Sequence, residues 1–236
     1  MNLTFNFRGE ELVGADFSGR DLRGADFRAS RLIRASFRGA NLEGARFDEA
    51  SLVGNSFEGA KLKGAILRDA CLRRANFRWA DMREADLTEA HVQQADLMEA
   101  NLSGANLRKT LLNHSRLLHV NLRGADMRKA FLESADCRDA DFLDADLRGA
   151  TLHDANLEGI RNKKIRRYQG GRLAAHACDG YITIDSRAMP NEIWLKRYKD
   201  IGLKGNYPAY EIAEYGNFIR EVIDKEAQEL LLLAKR

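Results

Sequence analysis

From Phe7 to Leu157 every fifth residue is apolar, with no slip of register across 31 consecutive units. Two places before each sits a small residue, nearly always Ala, as in Ala15-Asp16-Phe17, Ala40-Asn41-Leu42 and Ala155-Asn156-Leu157. Five residues along an α-helix turn through roughly 500°, so an apolar stripe at that spacing wanders around the whole helix. In a flat strand an odd period sends successive large residues to opposite faces. A chain that turns after every five residues, keeping the central one inward, satisfies the pattern. The period therefore predicts a coiled solenoid over two-thirds of the chain, an architecture that presents surface rather than a catalytic pocket.

Ala fills a second inward slot at positions 15, 25, 35, 40, 45 and 50 and at most later equivalents. Gly recurs two places after the central residue, as at Gly14, Gly19, Gly24, Gly39, Gly44 and Gly54, where a turning backbone uses its conformational freedom. The resulting pattern, Ala-(Asp/Asn)-Leu followed by two variable residues, resembles the pentapeptide-repeat family from residue 5 to about 160. The resemblance implies a mainly β fold, a right-handed quadrilateral β-helix with four units per coil and nearly eight coils. Phenylalanine supports the 20-residue coil independently. Phe7, Phe27 and Phe47 fall on one side, and Phe17, Phe37, Phe57 and Phe77 on the opposite one, predicting two stacked aromatic columns. At the usual inter-strand spacing the rod is roughly 37 Å long. Thr110, Ser115 and Val120 replace Ala at successive small slots, and Arg20 and Asn55 are polar there; local widening around 110–120 is expected, not a break.

After Ile160 the period stops. Residues 161–172 hold six basic residues and no acidic one. The following stretch reads as one or two short strands over about 173–185, then a helix containing Trp194, Leu195 and Tyr198. A loop at 202–208 leads to a final helix from about 209 to 235, with Ile212, Tyr215, Ile219, Val222, Ile223, Leu230 and Leu233 at helical spacing. The chain thus divides into 1–160, the repeats, and 161–236, a small α/β segment expected to cap a solenoid end. That segment loosely resembles strand-plus-helix tails that follow such repeats in some phage and bacterial proteins, which implies no activity.

Composition narrows the function classes. The longest apolar run, Leu230 to Ala234, is far short of a membrane span, and the N-terminus lacks the charged-then-apolar order of a secretion signal. Three scattered cysteines, Cys71, Cys137 and Cys178, fit neither a disulfide framework nor a paired zinc site, so a reducing, cytoplasmic setting is expected. Cys137 takes a central inward slot and Cys71 an outward one. The net charge of +3 conceals segregation: residues 1–80 carry +4, 81–160 carry −6 and 161–236 carry +5.

No catalytic, metal or cofactor site is assigned. His176, Cys178 and Asp179 form the most enzyme-like cluster, yet in a strand His176 and Cys178 share one side and Asp179 faces the other, so a packed strand is the simpler account. His91, His114, His119 and His153 lie at outward positions without matching carboxylate or sulfur partners, as surface histidines do. Lys163, Lys164, Arg166 and Arg167 in the basic junction are candidate nucleic-acid contacts, set against a solvated linker.

The outward positions offer two further candidates. The side carrying Phe17 and its equivalents is the most acidic, at −3, and its candidate patch is Asp96, Glu99, Asp136 and Asp139. The resemblance brings in quinolone-resistance proteins thought to imitate duplex DNA toward a topoisomerase. Duplex DNA carries about one charge per 1.7 Å, so a mimic of this length wants on the order of twenty; the repeats carry a net −2. Whole-rod mimicry is poorly supported. The neighbouring side is nearly uncharged between 91 and 134, and His91, Gln93, Gln94, Leu111, His114 and Phe131 form a candidate protein-binding patch. The same patch also fits packing beneath a folded-back C-terminal segment. The expected function is a non-enzymatic protein-binding rod, in its most specific form an inhibitor or protector of a DNA-handling protein; nucleic-acid contact through the junction, or a purely structural role, is the alternative. A homodimer through a solenoid end, where Phe5 and Phe7 lie, is a further expectation.

Overall fold

The computed structural model describes residues 5–162, 165–168, 175–178, 181–184, 187–205 and 207–233. Contacts divide the chain into two compact units, Met1–Asn162 and Lys163–Arg236.

In the first unit, parallel bridges join residues twenty apart without interruption, from Asn6 and Asp26 to Asp136 and Asn156. Each coil is therefore twenty residues, four five-residue units. The ladder repeats one motif: Phe27 N–H donates to Arg46 C=O at 2.7 Å, Ala29 N–H to Asp48 C=O at 2.9 Å, and Arg46 N–H to Ala25 C=O at 2.9 Å. Within each unit a turn closes, as where Ser30 N–H donates to Phe27 C=O at 3.2 Å. The residue two places after the centre is left-handed there, whether Gly (Gly24, φ 65°) or not (Glu99, φ 57°), as a type II turn requires. An added Cβ at most of these glycines meets nothing, so only the backbone dihedral favours Gly.

The Asp/Asn before each central residue has a structural cause that the sequence pattern left unexplained. Its Oδ1 accepts the backbone N–H two residues on, as Asp16 does from Ser18 (2.9 Å), Asn76 from Arg78 (3.0 Å) and Asn101 from Ser103 (3.1 Å). This Asx turn supplies a polar partner on the outer edge of every such corner. Inside, Ala and the central residue are buried at nearly every unit. The two aromatic columns are present: Phe7, Phe27 and Phe47 stack at 4.7 and 4.9 Å, and Phe17, Phe37, Phe57 and Phe77 at 5.1, 5.0 and 4.8 Å. The columns meet edge to face, Phe27 to Phe37 at 5.4 Å. Phe5 stacks on Phe7 at 6.2 Å and is exposed.

The expected widening near 110–120 leaves no mark on the ladder, where Leu112 N–H to Phe131 C=O and Leu117 N–H to Asp136 C=O are both 2.7 Å. Thr110 and Ser115 are accommodated because their hydroxyls donate to Leu87 C=O (2.7 Å) and Leu112 C=O (2.5 Å).

The second unit holds more β-structure than its sequence suggests. Strands β1 (Arg166–Tyr168), β2 (Ala175–Cys178), β3 (Tyr181–Ile184) and β4 (Arg187–Pro190) form one antiparallel sheet in that order. Part of the basic junction is thus an edge strand and not linker, because Arg166 to Tyr168 pair with Ala177 to Ala175. Helices α1 (Asn191–Lys204) and α2 (Ala209–Leu233) follow. Ala175, Ala177, Ile182, Ile184, Trp194, Tyr215, Phe218, Ile219 and Val222 make the core. Trp194 Nε1–H donates to Ile182 C=O at 2.6 Å, tying α1 to β3. The helices approach closely at Gly216, where an added Cβ lies 2.5 Å from the Tyr198 ring. The side chains of Leu230 and Leu233 lie outside the described residues. Among the described residues, no helix is long and apolar enough to cross a membrane.

Candidate functional site

The twenty-residue register brings the neutral-patch residues together. His91 pairs with Leu111 and Leu111 with Phe131 along one ladder, giving three consecutive rungs. His91 and Phe131 are exposed, Phe131 at 39 %, and Leu111 is half-buried. On the same rungs, Gln94 Oε1 accepts from Arg74 Nε at 2.8 Å, and Asn113 Nδ2 donates to Glu133 at 3.4 Å. Gln93 is half-buried, with its Oε1 enclosed and unbonded, and His114 is exposed. The arrangement is a narrow apolar strip with polar edges.

The four acidic candidates also share one side, but they are not a row of free carboxylates. Asp136 is held bidentately by Arg138 at 2.8 and 2.7 Å. Asp96 binds Arg116 at 2.9 Å and lies 3.6 Å from Arg78. Glu99 accepts from Trp79 Nε1 at 3.2 Å. Asp139 lies 3.9 Å from His119 Nδ1, and its carboxylate occupies the space above Gly159, where a Cβ would come within 2.1 Å. Sequence counting saw the charges and missed the pairing, although Asp-x-Arg at one unit's outward positions was its signal.

That signal recurs. Arg23, Arg28, Arg83, Arg128 and Arg148 fold back onto Asp21, Asp26, Asp81, Asp126 and Asp146. Each of these carboxyls, and that of Asp136, is held below its ordinary range chiefly by the hydrogen bond from its arginine, Asp26 falling to about 2. An unfolded Asp titrates near 3.9. A carboxyl depressed in the folded state contributes stability that is complete above that value and lost as pH falls through the folded value. The rod is therefore expected to lose stability between about pH 4 and pH 2, less steeply in Asp26→Asn, as read by circular dichroism against pH; a flat profile over that window overturns the assignment.

One cluster escaped the sequence reading. Trp79 is 50 % exposed, its ring lies under the Arg78 guanidinium at 4.8 Å, and half-buried Met98 and Leu118 stand in place of Arg78 on the next two coils. The rungs before it at the same corner carry Gly19, Gly39 and Gly59, and a tryptophan where glycine suffices was the available signal.

Of the enzyme-like cluster, His176 is buried on β2, while the Cys178 side chain and Asp179 lie outside the described residues. Lys163 and Lys164 lie outside them too, and Arg166 and Arg167 are placed by backbone alone, on β1. Cys71 is half-buried and Cys137 buried. Among the described residues no three His, Cys, Asp or Glu side chains are grouped to hold a metal.

A solenoid of stacked five-residue units defines the class of protein. The family model for pentapeptide repeats matches in 8 copies over residues 11–48, 30–69, 40–78, 70–97, 95–133 and 130–161. The chain belongs to the pentapeptide repeat family. Solved structures similar to it include HetL, a pentapeptide repeat protein involved in heterocyst differentiation regulation in the cyanobacterium Nostoc, with 26% identity over 69% of this chain and 90% of that one and a TM-score of 0.34. QnrB1, a plasmid-mediated fluoroquinolone resistance protein, has 22% identity over 67% and 84%, with a TM-score of 0.35. A pentapeptide repeat protein of the Arabidopsis thaliana thylakoid lumen has 35% identity over 52% and 68%, with a TM-score of 0.18. No curated protein sequence matches the chain.

Proposed function

We propose that this chain is a non-enzymatic, protein-binding member of its family, wound as the right-handed, four-sided coil the family implies. Its contact surface is the strip of His91, Gln93, Gln94, Leu111, His114 and Phe131. The supporting observation is Phe131, an exposed aromatic on an outward rung where most of the rod carries charge or small polar groups. Burying such a ring against a partner is favourable, and aromatic anchors dominate protein interfaces. The most specific form, taken from the resemblance, is an inhibitor or protector of a DNA-handling protein such as a topoisomerase. Imitation of duplex DNA by the whole rod is no part of this, since arginines neutralise many of its aspartates. Self-association through a solenoid end is compatible with it.

Capture from a cell lysate, with and without nuclease, tests the reading. The wild-type chain is expected to retain a specific protein whether or not nuclease is added. Phe131→Ser, at an outward position that leaves the core intact, is expected to weaken that capture by about 2 kcal/mol, roughly thirtyfold in Kd. Equal recovery by both proteins removes the strip from the argument, and recovery of no specific protein removes protein binding.

A further inference from the structure

Outward charges one coil apart meet the opposite sign in several places: Glu11 pairs with Arg31, Arg38 with Glu58 and Asp96 with Arg116. One stretch departs from this. In the units centred on Leu107, Met127 and Leu147, the two following residues are Arg108-Lys109, Arg128-Lys129 and Arg148-Gly149. Lys109 N–H donates to Arg128 C=O and Lys129 N–H to Arg148 C=O, both at 3.0 Å, so five cations occupy three consecutive rungs, about 4.8 Å apart.

The carboxylates within these units do not balance them. Asp126 and Asp146 hold Arg128 and Arg148, each at 2.5 Å, and Lys109 reaches back to Glu89 at 2.6 Å. The unit that would supply a third carboxylate has Asn106 instead, its Oδ1 taken by the Arg108 N–H at 3.3 Å. Arg108 and Lys129 make no ion pair among the described residues. Like charges on adjacent rungs are unfavourable, and Arg148 opposes the charged form of Arg128 even though the Asp126 hydrogen bond outweighs it. An anion placed over the strip would offset this repulsion.

We infer that this strip is a docking site for the phosphodiester backbone of nucleic acid. The surface is open, so it cannot enclose one small anion, but three rungs span about 10 Å, the reach of two or three phosphates along a strand. The Asp126 and Asp146 carboxylates hold two guanidiniums in fixed planes, and bidentate arginine suits phosphate. The strip carries no group positioned to read base edges, so binding is independent of sequence. No apolar side chain stands at its outward positions to enter a membrane. It adjoins the proposed protein contact, with Leu111 and Phe131 two residues after Lys109 and Lys129, but uses none of its residues.

Fluorescence anisotropy of the full chain with a mixed-sequence 20-base-pair duplex, between about 50 and 200 mM salt, tests the assignment. Arg108→Gln/Lys129→Gln is expected to bind roughly tenfold more weakly at the low-salt end, with the slope of log K against log salt smaller by about 2. Phe131→Ser is expected to bind like wild type, which separates this inference from the protein-binding one. Circular dichroism checks that the double variant is folded. The inference is overturned by an unchanged slope in the double variant, by loss of binding only in Lys163→Gln/Lys164→Gln, by no duplex binding in the wild type, or by binding to phosphatidylglycerol vesicles alone.

Discussion

Phe37→Ala is expected to destabilise the repeat unit by about 3–5 kcal/mol, the cost of removing a fully buried aromatic ring and leaving a cavity. Phe37 is 0 % exposed and touches four other rings, Phe17 and Phe57 face to face at 5.1 and 5.0 Å, Phe27 and Phe47 edge to face at 5.4 and 5.6 Å. Its backbone is fixed by the ladder above and below, so the coil has little freedom to collapse into the vacated space. Phe37→Leu is expected to cost markedly less, because Leu97 and Leu117 fill the same column later in the rod. Chemical denaturation of the three proteins measures the difference. A cost below about 1 kcal/mol for the alanine variant would show that the coils relax around the gap and that the stack is not a rigid core.

Asn55→Ala should move stability the other way, raising it by about 1–3 kcal/mol. Asn55 occupies one of the small inward slots, is 0 % exposed, and neither Nδ2 nor Oδ1 has a hydrogen-bond partner. A buried amide without partners carries its full desolvation penalty. Ser30, Thr110 and Ser115 occupy equivalent slots at no such cost, because each hydroxyl reaches a backbone carbonyl. The ladder bond beside it, Ser56 N–H to Ala35 C=O, is 3.2 Å, against 2.9 Å for Asp96 N–H to Ala75 C=O and Asn41 N–H to Arg20 C=O. Asn55→Ser is expected to give most of the same gain. Thermal unfolding decides the matter, and lower stability in Asn55→Ala would mean that the amide is bonded in solution.

Much of this was legible before any coordinates, for a reason peculiar to the chain. With an unbroken period of five and a coil of twenty, a residue's number alone places it on a rung and a side. Hence the aromatic columns, the inward cysteine at Cys137 and the grouping of His91, Leu111 and Phe131 could all be found by counting. The second unit offered no such arithmetic. Its strands are three or four residues long, and β2 turns two alanines toward the core, so no strong alternation of large apolar side chains marks it. Arg166 and Arg167 belong to a sheet because β2 lies beside them, a fact of pairing that local composition does not carry.

The surface divides in the same way. Where each charge sits follows from the repeat, but which partner it takes depends on the reach of long side chains between rungs. Asp136 turns to the arginine of its own unit, Asp96 to Arg116 one coil on, and Glu99 to the indole of Trp79 one coil back. Among the described residues Arg108 makes no ion pair, since Asn106 stands where Asp126 and Asp146 hold the arginines of the next two coils. The sequence by itself determined the coil, its register and its core, since a backbone that turns every five residues has one way to bury its apolar centres. Only the tertiary structure decided which outward charges pair with one another, because a carboxylate can turn to the arginine two residues on in its own unit or to one a full coil away.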